Sequence, residues 1–166
     1  MKFILAVSVW VICSSIGLKQ WLKVKNRSSL IRQTSLTLDC FINEIEYSSI
    51  PLDALIEKYS RAKFSKPEFI LLCSEKLKSG YDFPVAWRES VDEGAGLLDE
   101  EEKSRLYLLG DLLGTSDSKS QCEFLKTQYN YFDERAKQAK EKADKCSSSF
   151  ICSGIFIGFA FFIFIV

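Results

Sequence analysis

Histidine is absent from this 166-residue chain, methionine occurs once and proline three times. The first absence excludes the most. Without imidazole there is no histidine general base, no Ser-His or Cys-His nucleophile pair and no imidazole metal ligand. Six cysteines stand at 13, 40, 73, 122, 146 and 152, with no CxxC pair and no repeated spacing, so neither a zinc site nor a disulfide framework is indicated. They read as small hydrophobes in a reducing compartment. No phosphate-binding loop, glycine-rich dinucleotide turn or nucleophile elbow occurs. The acidic run Asp99 to Glu102 is accounted for by helix capping rather than metal binding. No catalytic, cofactor-binding or metal-binding residue is expected, and the chain reads as a non-enzyme.

Charge is missing from both ends. Residues 3–18 and 146–166 carry none, and all 22 acidic residues fall between Asp39 and Asp144. The C-terminal run of 21 residues matches the roughly 20 that cross a bilayer core. A buried core helix would find too little apolar surface around it, and a cleaved lipid-anchor signal would need a polar spacer of roughly 8–12 residues. The N-terminal run, extended through Trp21 and Leu22 with Lys19 snorkelling, reads as an uncleaved anchor rather than a signal peptide. The expected division is a transmembrane helix over 1–22, a domain over 23–145 and a second transmembrane helix over 146–166. Lys19, Lys23, Lys25, Arg27 and Arg32 follow the first run, and Lys137, Lys140, Lys142 and Lys145 precede the second. Basic flanks stay in the cytoplasm, which puts the middle domain there. The early basic cluster also suits anionic headgroups.

The middle, about 120 residues, is one small domain. Between the two uncharged runs, with Lys2 set aside, 21 basic residues stand against 22 acidic, which gives nucleic-acid binding little support. Its apolar residues recur at helical spacing. Leu38, Phe41, Ile42 and Ile45 mark a helix from about Ser28 to Tyr47, and Leu52, Leu55, Ile56 and Tyr59 a second after Pro51. Ser65 to Glu68 has the capping-box pattern before Phe69, Leu72, Cys73 and Leu77, with Gly80 as the stop. Asp82 is placed to cap a fourth helix holding Val85, Trp87 and Val91. Asp99 to Glu102 opens a fifth with Leu106, Leu109, Leu112 and Leu113, closed by Gly114. Trp87 and Tyr47 read as core. No segment alternates like a strand for long. The expected fold is all-α: a cytoplasmic six-helix bundle flanked by two transmembrane helices.

The last helix is the unusual one. Cys122, Leu125, Tyr129, Phe132, Ala136, Ala139, Ala143 and Cys146 alternate three and four residues apart, with no proline or glycine before Gly154. One helix continuous with the C-terminal span is expected. Its alanine stretch either lets another helix approach closely or forms a solvated stalk. Gly154 and Gly158 make a GxxxG, a candidate transmembrane packing face. The corner Leu109 to Asp117, followed by Gln121, is explained structurally by its caps. Asp111, Ser116, Asp117 and Gln121 are also candidate partner-docking residues.

The order of these features resembles the stage III sporulation protein AB family. The residues that carry the likeness are the N-terminal run, Glu44-Ile45-Glu46-Tyr47, Pro51-Leu52, Ala86-Trp87, the Leu113-Gly114-Thr115-Ser116-Asp117 corner with Gln121, and the long last helix. The resemblance implies a membrane platform subunit of the sporulation channel complex between mother cell and forespore, in the mother-cell membrane. Its cytoplasmic domain would be similar to that of secretion and pilus platform proteins and would dock the complex's secretion-type ATPase. Other channel subunits or a second copy are further candidate partners. Two alternatives belong to other classes: a small membrane-bound enzyme, and a secreted or anchored helical interaction domain unrelated to secretion.

Overall fold

The structure, a computed structural model, describes residues 2–48, 50–63, 65–113 and 118–165, with side chains over 15, 17–47, 50–63, 65–113 and 120–145. Among these residues it is all-α. The helices are α1 (Lys2–Ser48), α2 (Leu52–Arg61), α3 (Glu68–Lys78), α4 (Phe83–Gly94), α5 (Glu100–Leu112) and α6 (Ser118–Ile165), and no strand occurs among them. Six helices were expected between the apolar ends, with only the last continuous with one. The first is continuous too. From Lys2 to Ser48 no proline interrupts the chain, and α1 runs through Gly17 for 47 residues. The proline-free α6 runs for 48.

Among the described residues no helix is long and apolar enough to cross a membrane. The expected spans over 1–22 and 146–166 lie mostly on residues whose side chains fall outside the description. So do Gly154 and Gly158. The backbone separates into two compact units, one of residues 1–28 with 137–166 and one of residues 29–136.

The core belongs to the 29–136 unit. Leu38, Phe41, Ile42 and Ile45 are buried, as are Leu55, Ile56 and Tyr59, Phe69, Ile70 and Cys73, Trp87 and Val91, Leu106, Leu109 and Leu113, then Leu125 and Phe132. Each large side chain so covered stabilises the fold by about 1.5–3 kcal/mol. The α6 seam is buried at Cys122, Leu125, Phe132 and Ala136, and half-buried at Tyr129, Ala139 and Ala143. One expected core residue, Tyr47, is outside, and so is Val85 of the fourth helix. Val85 is 48% exposed and Tyr47 82%. Each lies two residues from a buried neighbour, Trp87 and Ile45, and two residues on a helix is about 200°, the opposite face.

The helix ends account for the connections. After α3, Gly80 takes a φ of +87°, its N–H reaches the Leu77 carbonyl at 3.0 Å and that of Tyr81 reaches Lys76 at 3.2 Å. This paired closure requires the left-handed glycine conformation. At α5 the capping box forms: Glu102 N–H donates to Asp99 Oδ1 and Asp99 N–H to Glu102 Oε2, both at 2.9 Å. Asp82 stands at the N-cap of α4 without a side-chain cap bond. The box expected at Ser65 does not form, because α3 begins at Glu68 with Pro67 as its N-cap. A box would make Lys66 helical, and the residue before proline is pushed toward extended backbone.

Candidate docking face

The polar corner after α5 is only partly inside the described residues. Ser116 and Asp117 lie outside them, and so does Gly114; α5 ends at Leu112 with extended Leu113 as its C-cap. Gln121 is half-buried on the first turns of α6, and Asp111 is exposed near the end of α5.

Asp111 belongs to a row of linked polar side chains between α4 and α5. Its Oδ2 accepts from Arg88 at 3.1 Å. The Arg88 guanidinium lies over the Tyr107 ring, 5.1 Å from its centroid. The Tyr107 hydroxyl in turn donates a short hydrogen bond to Asp92. That bond pushes the Tyr107 phenol up to about 12, because ionising it would set two anions side by side. Val85 and Leu108, each 48% exposed, share the outer surface of these two helices. Sequence patterning missed this row because each member looks like ordinary surface charge. The signal that was available is antiparallel register: 88 with 111 and 92 with 107 sum to one constant.

What holds the row in place is buried beneath it. The Trp87 indole donates to the Leu106 carbonyl at 2.7 Å. A Cβ on Gly110 would fall 2.3 Å from Trp87 Cδ1, and one on Gly94 would fall 2.6 Å from the Phe69 backbone nitrogen. Gly110, which the sequence placed in a tight corner, is a helical residue whose missing side chain admits the indole. Phe69 stacks edge-on against the same ring with centroids 5.6 Å apart.

A second cluster ties α5 to α6. Arg105 lies over Tyr131, 3.8 Å from the ring centroid, and Arg135 donates to the Tyr131 hydroxyl at 3.1 Å and to Glu101 at 3.0 Å. Glu101 also pairs with Arg105 at 3.4 Å. Between α3 and α4, Lys76 pairs with Glu89 and Glu93 at 2.7 and 2.9 Å, and the Glu89 hydrogen bond leads the effects that raise its pKa. These are recognition and bracing chemistries. The thiols of Cys73 and Cys122 are buried and free. Desolvation pushes Cys73 up to about 12 and raises Cys122, so both are held as inert thiols. Among the described residues no group of acidic or sulfur side chains is placed to hold a metal ion.

Comparison with solved structures finds a chain titled stage III sporulation protein AB, with a TM-score of 0.61 at 23% identity, covering 72% of this chain and 97% of that one. At that identity the likeness establishes the fold. No curated protein matches the chain. The family described as stage III sporulation protein AB matches residues 2–166, and the chain therefore belongs to the stage III sporulation protein AB family.

Proposed function

We propose that this chain is a non-enzymatic platform subunit of the stage III sporulation complex, held in the mother-cell membrane, that docks a cytoplasmic secretion-type ATPase through the α4–α5 face. Family membership supports the role in that complex. One observation carries the choice of face: a linked row of Asp92, Tyr107, Arg88 and Asp111, fixed by Trp87 in the Gly110 notch, with exposed Val85 and Leu108 on the same two helices. Exposed aliphatic groups beside oriented charges are what a partner surface needs for area and register. The uninterrupted α6 gives the platform a stiff connection toward its C-terminal run.

Capture of the purified ATPase by the full-length protein in detergent tests the reading. Asp111→Lys and Leu108→Asp should each weaken capture about ten-fold, the loss of one strong interface contact. Their melting should barely move, since surface changes stay within about 0.5 kcal/mol. Unaltered capture by both variants would remove this face from the reading, and no capture by the wild type would remove the docking.

A further inference from the structure

The formal charge of zero conceals a division. In residues 1–28 and 137–166, which form one compact unit, nine basic residues stand against two acidic, a net of +7. The remaining 29–136 carry 13 basic against 20 acidic, a net of −7. The positive unit concentrates its charge beside the two apolar runs. On α1, Lys19, Lys23 and Lys25 are exposed and Arg27 half-buried; on α6, Lys137, Lys140, Lys142 and Lys145 are exposed. No carboxylate precedes Asp39 anywhere in the chain.

The α1 stretch is more than a charged strip. Leu18 and Leu22 are 55% and 40% exposed among these lysines. Leu18, Leu22 and Lys25 recur at i, i+4 and i+7, with Lys19 and Lys23 one residue round the helix, so aliphatic and cationic groups share one surface. The Lys25 ammonium lies 4.9 Å from the Trp21 ring centroid, an amphipathic pair of the kind that settles at the headgroup level. A soluble acidic partner would match the charge but leave the leucines and indole without purpose. A bilayer surface with anionic headgroups matches both.

We infer that the Leu18 to Arg27 stretch of α1, with the lysines of 137–145 on α6, forms a collar that recruits anionic phospholipid around the protein. The inference rests on the membrane placement proposed above and is independent of ATPase docking. Each basic residue near such a surface favours it by about a factor of five, so the local enrichment is substantial and sensitive to salt.

The test uses the full chain with Trp10→Phe, leaving Trp21 and the buried Trp87 as reporters, in nanodiscs of phosphatidylcholine mixed with phosphatidylglycerol. Either lipid carries brominated chains, at equal fraction. Brominated phosphatidylglycerol should quench Trp21 about two-fold more strongly than brominated phosphatidylcholine. The difference should fade at high salt, where the screening length shrinks from about 10 Å to about 3 Å. It should vanish in Lys19→Gln/Lys23→Gln/Lys25→Gln and persist in the matching arginine variant. Equal quenching by the two lipids overturns the collar while keeping the membrane placement. That result with crosslinks between copies would assign the lysines to the acidic unit of a neighbour. No quenching by either lipid overturns the placement and the collar together.

Discussion

Trp87 occupies the space that a side chain on Gly110 would need. A Cβ there would stand 2.3 Å from Cδ1, 2.9 Å from Cγ and 3.0 Å from Nε1 of an indole that is 1% exposed and cannot swing away. Gly110→Ala sets two effects against each other. Alanine favours a helix interior by up to about 1 kcal/mol over glycine, while overpacking a closed core costs about 1–3 kcal/mol. The steric term should win, with a net loss of about 1–2 kcal/mol in urea unfolding followed by far-ultraviolet circular dichroism. Repeating the substitution in a Trp87→Phe background should recover part of that loss, since the clash is with the indole itself. Additive losses would mean that the cost of the methyl arises somewhere other than at the indole.

Lys66 closes α2 from outside the helix. Its ammonium donates to the carbonyls of Tyr59, Ser60 and Ala62 at 3.0, 2.5 and 2.6 Å, three groups at the helix end, of which that of Tyr59 also accepts from the Ala62 N–H at 3.2 Å. Lys66→Met keeps the stem and removes the charge, and should cost about 1–3 kcal/mol, the range for charged hydrogen bonds. Asp99→Ala should cost about 1 kcal/mol as a lost cap. Ser65→Ala should cost less, because among the described residues Ser65 caps no helix and accepts from Gln33 at 2.7 Å. Chemical denaturation of the three variants orders them; a Ser65 loss equal to that of Asp99 would contradict the observed start of α3.

These ends mark where the sequence was legible. Periodicity found all six helices, since a period of 3.6 in Leu38, Phe41, Ile42 and Ile45, or in Leu106, Leu109 and Leu113, has no other compact solution. It failed where a residue's role depends on a distant partner. The motif at Ser65 was overruled by the proline inside it. Gly110 looked like a corner because nothing local announces that a tryptophan 23 positions earlier needs its space. The Arg88–Asp111 pair lies on two helices, and only their register, absent from any one segment, brings it together. Of the candidate docking residues, Asp111 is exposed and Gln121 half-buried, while Ser116 and Asp117 fall outside the described residues.

Tyr107 gives the fold an alkaline signature. Its phenol is raised from 10.0 to about 12, first by the hydrogen bond to Asp92 and then by burial, against the opposing charge of Arg88. A raised folded pKa means the neutral form is favoured on folding. That contribution is complete below pH 10 and is lost as pH rises through about 12. Tyr107→Phe should therefore lower stability at neutral pH by about 1 kcal/mol, the worth of the lost hydrogen bond, and flatten part of the stability loss between pH 10 and about 12. Ultraviolet titration of wild type minus variant should isolate one late-ionising tyrosine; a midpoint near 10 would dissolve the Asp92 bond.

The continuity of α6 is the feature whose loss should affect function more than folding. Ala139 lies on the half-buried seam just beyond Ala136, the last residue of the 29–136 unit. Proline there removes the N–H aimed at the Arg135 carbonyl and collides with that carbonyl, a local cost of about 3 kcal/mol that kinks the helix. Glycine at the same place softens the helix by about 1 kcal/mol without breaking it. If α6 acts as a strut, Ala139→Pro should abolish complementation of a sporulation defect while melting of the 29–136 core shifts little. Ala139→Gly should retain most function. A proline variant that inserts normally and sporulates fully would mean that α6 need only tether the domain. A glycine variant as defective as proline would mean that the alanine methyl itself is a contact, and would turn attention from stiffness to close helix packing at Ala139.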